Sequence, residues 1–423
     1  MRVWLITIGE PLPTDGEGDR LLRTGLLADR LQRAGHEVVW WSSGFDHIRK
    51  QHRTPRTGQI LIESGYTLRL LKSSGYRHNI SLRRLLDHRQ LARHFRDEAL
   101  SSEMPDVILC SWPTLELCDE AVRYGKAHGI PVVLDVRDMW PDALIDVLPS
   151  LVRPLSRICA WPLYRMARRA CRDATAMTAI TEGCLEWVRR LAGAPRGATD
   201  RAFPLAYRDR SPKEHEREAA VAFWRDHGVA PDGKLTACFF GTLGRQFELG
   251  TVLNAARRLN ELRVPVRFVL CGAGPELESC QRRAAELPNV VVPGWVNAAQ
   301  IWTLMRLSSV GLAPYRSTWD FQMSIPNKPI EYLSAGLPVI SSLHGTLAQL
   351  LDQNGAGLTY RNESSKELAD ILQRLHAEPD SLVGMSRQAR SLFERQFVAD
   401  AVYDSMIDYL LGFTKAQRPQ AAA

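Results

Sequence analysis

The chain has 423 residues, is 45% hydrophobic and 24% charged, and carries a formal net charge of +7 with a pI near 9.0. That length exceeds one comfortable core and predicts two domains of roughly 200 residues. The composition is that of a soluble globular protein, no window approaches the apolar length of a membrane span, and the positive balance favours anionic partners: nucleotide phosphates, an acidic membrane surface or nucleic acid.

Arg2 to Ile8 is strand-like, and a loop with Pro11, Pro13, Gly16 and Gly18 follows. Leu21, Leu22, Leu26, Leu27 and Leu31 recur at helical spacing over Arg20 to Arg33, and His36 to Ser42 is a second strand. Strand, loop, helix, strand is the opening unit of a Rossmann-like domain. The loop lacks G-x-G-x-x-G, so dinucleotide binding is not indicated.

From Phe45 to Arg96 the chain turns basic, with Arg49, Lys50, Arg53, Arg77, Arg84 and Arg89 among the cations and Tyr66, Tyr76 and Phe95 interspersed. A solvated face, an anionic acceptor face and a membrane face all fit that pattern. The rhythm resumes with the strands Asp106 to Ser111 and Pro131 to Val136 around a helix reaching Ala127. The second strand runs into Asp135-Val-Arg-Asp-Met-Trp-Pro-Asp142. Charges just past a buried strand are where a site is expected. The plain alternative is a structural Arg137–Asp138 ion pair with Trp140 capping the core.

Leu151 to Arg172 is a basic amphipathic helix with Ile158, Trp161, Leu163 and Met166, kinked or divided at Pro162. It suits anionic lipid or packing on its own domain. Ala174 to Thr181 is another strand, and Gly193 to Arg217, rich in proline and mixed charge, reads as the interdomain connection.

The second half alternates again. Strands are expected at Leu235 to Gly241, Val266 to Gly272, Asn289 to Val292 and Val310 to Pro314. Helices are expected at Leu249 to Leu262, Pro275 to Glu286, Ala298 to Arg306, Leu368 to Leu375 and Leu382 to Phe397. Phe321 to Ser341 reads as loop, short helix, Gly336 cap and buried strand. The helix start, with Asn327 and Lys328, would sit at the carboxyl edge of a parallel sheet and attract an anion such as a diphosphate. Glu331, one turn on, can accept hydrogen bonds from sugar hydroxyls.

Eight cysteines, none in a Cys-x-x-Cys pair, read as reduced core residues of a cytosolic protein. Val3 to Ile8 is too short for a secretory signal. A cytoplasmic location is expected, with peripheral attachment to the inner face of the cytoplasmic membrane as an extension.

Three glycine turns follow strands in the second half. Gly241 and Gly244 in Phe-Gly-Thr-Leu-Gly-Arg245 allow close backbone approach, with Arg245 to neutralise phosphate. Gly274 lies in Cys-Gly-Ala-Gly-Pro. Trp295 and Val296 lie in Pro-Gly-Trp-Val, where backbone groups could read a base edge and the indole could stack. Each alone is plain turn chemistry; their order is specific.

With Val310-Gly-Leu-Ala-Pro-Tyr315 and Pro-Asn-Lys-Pro-Ile-Glu-Tyr-Leu-Ser-Ala-Gly-Leu-Pro-Val-Ile, this series resembles the donor domain of GT-B glycosyltransferases, retaining family 4. Gly9-Glu-Pro-Leu-Pro13, Ala34-Gly-His-Glu-Val38 and Asp-Val-Arg-Asp-Met-Trp-Pro resemble a bacterial branch that builds surface polysaccharides. The resemblance implies an α/β GT-B fold, two doubly wound Rossmann-like domains facing a central cleft. It implies an acceptor-side domain over 1–200, a connection over 201–217 and a donor domain over 218–397. A helix over 398–413 returns to the first domain, and a disordered tail covers 414–423. The activity implied is transfer of a sugar, with retention and without metal or cofactor, from a nucleoside-diphosphate sugar as co-substrate to a lipid-linked or oligosaccharide acceptor.

Residue by residue, the resemblance gives Glu331 the nucleotide ribose, Arg245 the diphosphate and Gly16 the close approach of donor phosphates; the family's second basic ligand, a lysine shortly after Arg245, is absent from Gln246-Phe-Glu-Leu-Gly250, and Lys328 could supply its charge. Arg137 and Asp138 stand where many relatives have a His-Asp pair, so Arg137 is expected to bind phosphate or acceptor and Asp138 to orient the acceptor hydroxyl. Gly241, Gly244, Gly274, Trp295, Val296, Tyr315 and Asn327 complete the donor site. Met323 occupies the place of a sugar-binding acid, with Asp320 or Gln322 as substitutes. The rival readings are a GT-B nucleotide-sugar epimerase, for which His36, His47, His52 and His344 form no constellation, and a basic membrane- or nucleic-acid-binding protein. No nucleic-acid motif stands out, and no nucleic-acid partner is expected.

Overall fold

The structure, a computed structural model, describes residues 1–16, 20–79, 81–146, 148–149, 151–193 and 197–416. The chain divides into two compact units. The first comprises Met1–Pro204 with residues 400–416, and the second Leu205–Ala399.

The strands of the first unit are β1 (Arg2–Ile6), β2 (Glu37–Ser43), β3 (Phe45–Asp46), β4 (Gln51–His52), β5 (Gly58–Glu63), β6 (Tyr66–Leu71), β7 (Val107–Trp112), β8 (Val132–Val136), β9 (Ala176–Ala179) and β10 (Arg201–Ala202). Eight of them make one sheet in the order β10-β9-β8-β7-β1-β2-β6-β5, parallel except for the β5–β6 pair. β7 and β8 are buried throughout, as continuous apolar runs covered by helices on both faces require. The strand order reverses between β1 and β7, so their carboxyl ends open a crevice. β3 and β4 form a separate antiparallel hairpin within the basic stretch.

The second unit holds β11 (Leu235–Phe240), β12 (Val266–Cys271), β13 (Val290–Gly294), β14 (Val310–Ala313), β15 (Val339–Ser341) and β16 (Gly357–Thr359). All are parallel, in the order β13-β12-β11-β14-β15-β16. This is the doubly wound order, reversing between β11 and β14. Its core joins Phe239, Phe268, Tyr332, Leu304 and Leu372, all fully buried.

The basic segment at Leu151 to Arg172 is divided. One helix spans Arg153–Cys159 and buries nothing; a second spans Trp161–Asp173, with Pro162 in its first turn, and buries Ala167, Ala170 and Cys171. Residues 201–217, read as connection, contain β10, a bridge from Tyr207 to Val398, and the start of the helix Glu214–Asp226. The last helix, Ala399–Ala416, meets the first unit through Arg30–Asp404 and Phe203–Tyr409. Of the tail read as disordered, Thr414 lies in that helix, and residues 417–423 fall outside the described residues. None of the eight cysteines is in a disulfide, and only Cys159 is exposed.

Candidate functional sites

In the second unit, backbone rather than side chain makes the surface at the switch point. β11 ends at Phe240, and Gly241 follows at φ +138°. A Cβ there would fall 2.3 Å from Lys328 Cε and 2.5 Å from Lys328 Nζ, so the lysine lies directly on the glycine backbone. Gly272, at φ +144°, would put a Cβ 1.7 Å from the Gly241 carbonyl oxygen, and Gly274, at φ +142°, would put one 2.5 Å from the Leu243 oxygen. No residue but glycine fits these approaches. The loops are laced together: Gly241 N–H donates to Cys271 O (3.0 Å), Leu243 N–H to Ala273 O (2.8 Å) and Gly272 N–H to Gly294 O (2.7 Å).

Lys328 comes from the first turn of the helix Asn327–Ser334, which begins after Pro326. The same helix ends as its sequence predicts. Gly336 at φ +71° donates to Leu333 O and Leu337 to Tyr332 O, the paired bonds of a glycine-terminated helix. Lys328 Nζ stands 4.9 Å from the Phe247 ring centroid and 5.7 Å from that of Phe239, which fixes the ammonium over aromatic faces. An ammonium, a helix start and bare glycine backbone meeting at one strand edge favour a phosphate group.

Around this centre, Arg245 is exposed, Gly244 is buried, and Asn327 is exposed at the helix start. Trp295 is 71% exposed, whereas neighbouring Val296 is a core residue. Glu331 and Tyr315 are both buried. Burial first, and then the Glu331 charge, push the Tyr315 phenol far up, which places carboxylate and phenol close together. Met323 ends a single helical turn, Trp319–Met323. Gln322, a candidate substitute for the missing acid, accepts from His344 N–H (2.9 Å) and donates to Ser317, so it braces its own loop.

In the first unit, Arg137 and Asp135 belong to a buried charge network. Arg23 donates to both Asp135 oxygens (2.9 and 3.0 Å), Thr178 Oγ1 to Oδ1 (2.8 Å) and Arg137 Nε to Oδ2 (2.7 Å). Arg137 also donates to Glu10 and, through Nη2, to the Thr24 hydroxyl (3.0 Å). Burial alone would raise the Asp135 carboxyl, but the two guanidiniums outweigh it and hold it well below the usual carboxylate range. Gly16 sits in the loop after β1 at φ +134°, with open space where a Cβ would be. Asp138 accepts from Met139 N–H (2.9 Å) and lines a cavity of about 200 Å³.

That cavity lies at the switch point. Ile8 and Gly9 after β1, Pro113 and Thr114 after β7, and Ser43 at the end of β2 line it, together with His47, Tyr76, Arg84, Asp87 and Asp138. His47 Nδ1 pairs with Tyr76 Oη (2.6 Å). The Arg84 guanidinium stacks on Trp140, 4.4 Å from its ring centroid, and stands 5.6 Å from that of Tyr76. Burial first, then Lys50 and Arg84, lower His47 to about 4; burial and the same arginine lower His88, just behind, to about 3. The other histidines weighed for acid–base work are apart: His52 meets Phe45, and His344 donates to Tyr360 O.

Two family descriptions match this chain: "Glycosyl transferase 4-like domain" over residues 22–201 and "Glycosyl transferases group 1" over residues 234–378. The chain is a GT-B glycosyltransferase. The enzyme is 28% identical over 177 residues to a protein of Escherichia coli (strain K12) provisionally named the colanic acid biosynthesis glycosyltransferase WcaL. That match covers 40% of this chain and 43% of the relative, so it spans less than half of either. Among solved structures, the enzyme is similar to sucrose-phosphate synthase of Thermosynechococcus elongatus, with TM-score 0.71, 14% identity, and 98% and 100% of the two chains covered. HepE of Anabaena, solved with UDP-glucose, has TM-score 0.64, 14% identity, and 97% and 100% coverage. These likenesses establish two Rossmann-like domains.

Sequence reasoning missed the first-unit cavity and undervalued Gly272. Arg84 was one of many arginines in a basic stretch, with no spacing to single it out. Gly272 had a signal, a glycine directly after a strand, but Gly274 of the same turn was preferred.

Proposed function

We propose that the enzyme moves a sugar from a nucleoside-diphosphate sugar to a lipid-linked or oligosaccharide acceptor, with retention, in the assembly of a surface polysaccharide or related glycan. The observation that carries this reading is Lys328 lying on Gly241, where three glycine turns meet at the switch point of the second unit. A leaving diphosphate there would be stabilised by Lys328, Arg245 and the backbone N–H groups of the helix start. Glu331 would accept from the ribose, Trp295 would stack on the base, and Asp138 would orient the acceptor hydroxyl. Because its donors already serve Asp135, Glu10 and Thr24, Arg137 is given the part of fixing the end of β8, from which Asp138 follows. The curated relative's name and the UDP-glucose in the HepE structure support the substrate classes.

The test is a melting-temperature screen against nucleoside diphosphates and nucleotide sugars, since a ligand that binds the native state raises the midpoint. Turnover with the donor so found should fall about 100-fold in Lys328→Ala and in Arg245→Ala, the usual loss when one donor to a developing charge is removed. Wild-type turnover in both variants would remove the phosphate assignment. Unchanged turnover in excess chelator supports the metal-independent part, and product anomer analysis tests retention.

Among the described residues no helix is long and apolar enough to cross a membrane. We place the enzyme in the cytoplasm, held on an anionic membrane by the divided segment. Leu151, Leu155, Ile158 and Trp161 are 93%, 64%, 71% and 58% exposed beside Arg153, Arg157 and Arg165. Apolar side chains flanked by arginines suit a lipid interface. Ile158→Asp should abolish co-sedimentation with anionic vesicles and leave soluble turnover intact.

A further inference from the structure

The cavity of the first unit is furnished for a ligand with a particular charge. Its wall carries a guanidinium, an imidazole and a phenol that can all donate hydrogen bonds. Arg84 faces it from the helix Leu82–Leu100, and His47 from the β3–β4 hairpin. Lys50 closes the same hairpin: its Nζ donates to Asn79 Oδ1 (2.5 Å) and lies 4.7 Å from the Tyr76 ring centroid. Lys50 holds φ +57°, a costly conformation for a residue with a side chain, and the surrounding bonds keep it there.

Arg84 is held from behind. Its Nε donates to His88 Nε2 (3.4 Å) and its Nη1 to Asn79 O (2.9 Å). That leaves the His88 proton on Nδ1, which faces Glu116 at 3.8 Å, beyond hydrogen-bond reach. His88 Nδ1 and Glu116 Oε1 are both buried without a hydrogen-bond partner. A buried imidazole and carboxyl kept in this unsatisfied state serve to fix the guanidinium above them. With Nε and Nη1 engaged, Arg84 is poorly set for the two-pronged grip on a planar carboxylate. Donors approaching from separate elements, the cation Arg84 from the helix and the cation Lys50 with the uncharged His47 from the hairpin, suit a tetrahedral oxyanion instead.

Two carboxylates also line the cavity, and one already has its hydrogen-bond partners on its own segment. Asp87 Oδ1 accepts from Ser73 Oγ (2.6 Å), Ser74 Oγ (3.1 Å) and Gly75 N–H (3.0 Å). Asp138 is the carboxylate assigned to the acceptor hydroxyl. Exposed apolar side chains stand on the same two elements: Ile48, next to His47 in the hairpin, is 62% exposed, and Leu82 and Leu86, on the helix that carries Arg84, are 78% and 60% exposed. Exposed apolar surface on the elements that supply Arg84 and His47 fits a phosphate carried on a lipid.

We propose that this cavity is the acceptor's phosphate subsite, in which Arg84, His47 and Lys50 receive the phosphate of a lipid-linked acceptor and His88 and Glu116 act as positioning residues for Arg84. The proposal rests on the glycosyltransferase reading above, which left the acceptor as either lipid-linked or free oligosaccharide.

The experiment measures binding of inorganic pyrophosphate, a short-chain prenyl diphosphate and an uncharged oligosaccharide to the full chain by calorimetry. The expected result is prenyl diphosphate bound tighter than pyrophosphate. Its affinity should fall about tenfold in Arg84→Gln, recover in part in Arg84→Lys, and stay near wild type in Lys328→Ala. The double variant Leu82→Asp with Leu86→Asp should erase only the prenyl advantage. With the acceptor in hand, His88→Leu should raise KM and leave kcat, whereas a merely structural loss would lower the melting temperature and the active fraction together. Prenyl diphosphate binding that tracks Lys328 and ignores Arg84 would overturn the subsite. So would an uncharged oligosaccharide as the better ligand. If Arg84 governs phosphate binding but no nucleotide sugar binds anywhere, the glycosyltransferase reading fails and the acceptor assignment falls with it.

Discussion

The second unit presents its candidate site as bare backbone, while the first presents side chains. At the switch point of β11 and β14, Gly272 meets Gly241 and Gly274 meets Leu243 at distances no Cβ could share, and the Lys328 side chain is laid across Gly241. At the switch point of β1 and β7, the cavity is walled by Arg84, His47, Tyr76 and Asp138 from four separate stretches. A backbone surface can recognise what every donor has in common, the diphosphate. A side-chain cavity can be rewritten residue by residue, which suits an acceptor. The difference teaches where tolerance to substitution should lie.

Four measurements break or sharpen that contrast, beginning with the largest effect. Asp135→Asn leaves Arg23 and Arg137 buried against a neutral amide, and should cost about 3–5 kcal/mol of stability in urea unfolding. A loss under 1 kcal/mol would mean the first unit does not depend on this network. Next, Gly272→Ala drives a methyl into the Gly241 carbonyl at a positive φ. It should cost about 3 kcal/mol, lowering the melting temperature of the second unit by about 6–12 °C. Near-normal stability there would show that the glycine turns can separate.

The third concerns pH. His88, held at about 3 against an ordinary 6.5, refuses in the folded state a proton that the unfolded chain accepts. Its contribution is therefore complete above about 6.5 and is lost as pH falls toward 3, with a slope of up to about 1.4 kcal/mol per pH unit. His47 acts in the same sense, and Glu116, pushed up by burial, in the opposite one. The difference between wild type and His88→Gln over pH 6.5 to 4.5 isolates the histidine; parallel curves would remove it. The smallest effect is Trp295→Ala. It should weaken nucleotide affinity by about 0.5–1.5 kcal/mol at unchanged stability, and equal affinity would take the indole out of the site.

The same contrast explains what could be read from the chain beforehand. Glycine after a buried strand, proline at a helix start and Gly336 past its end are local rules, so the second unit's strands and the cap of Asn327–Ser334 were legible to within a residue or two. β16 was missed because three residues carry no period. In the first unit, Asp135, Arg137 and Asp138 were visible at a strand end, but the reach of Arg23 across 112 positions to Asp135 was not. Nor was the convergence of residues 47, 76, 84 and 138, which depends on a hairpin and a helix packing together over one crevice. The basic stretch between Phe45 and Arg96 hid both elements, because charge dominated its composition and the exposed β5 alternates weakly. The helix Glu214–Asp226 was lost to the prolines just before it.

The last helix belongs to the unit that the chain begins, and this orders events during synthesis. Tyr403, Met406 and Leu410 are buried, and Asp404 binds Arg30. The amino-terminal unit therefore emerges from the ribosome first yet stays short of part of its core until residues 400–416 follow. The second unit, contiguous over Leu205–Ala399, has everything it needs earlier. The portion made first is the portion completed last, so truncation near residue 400 should strand a finished second unit beside an unfinished first one.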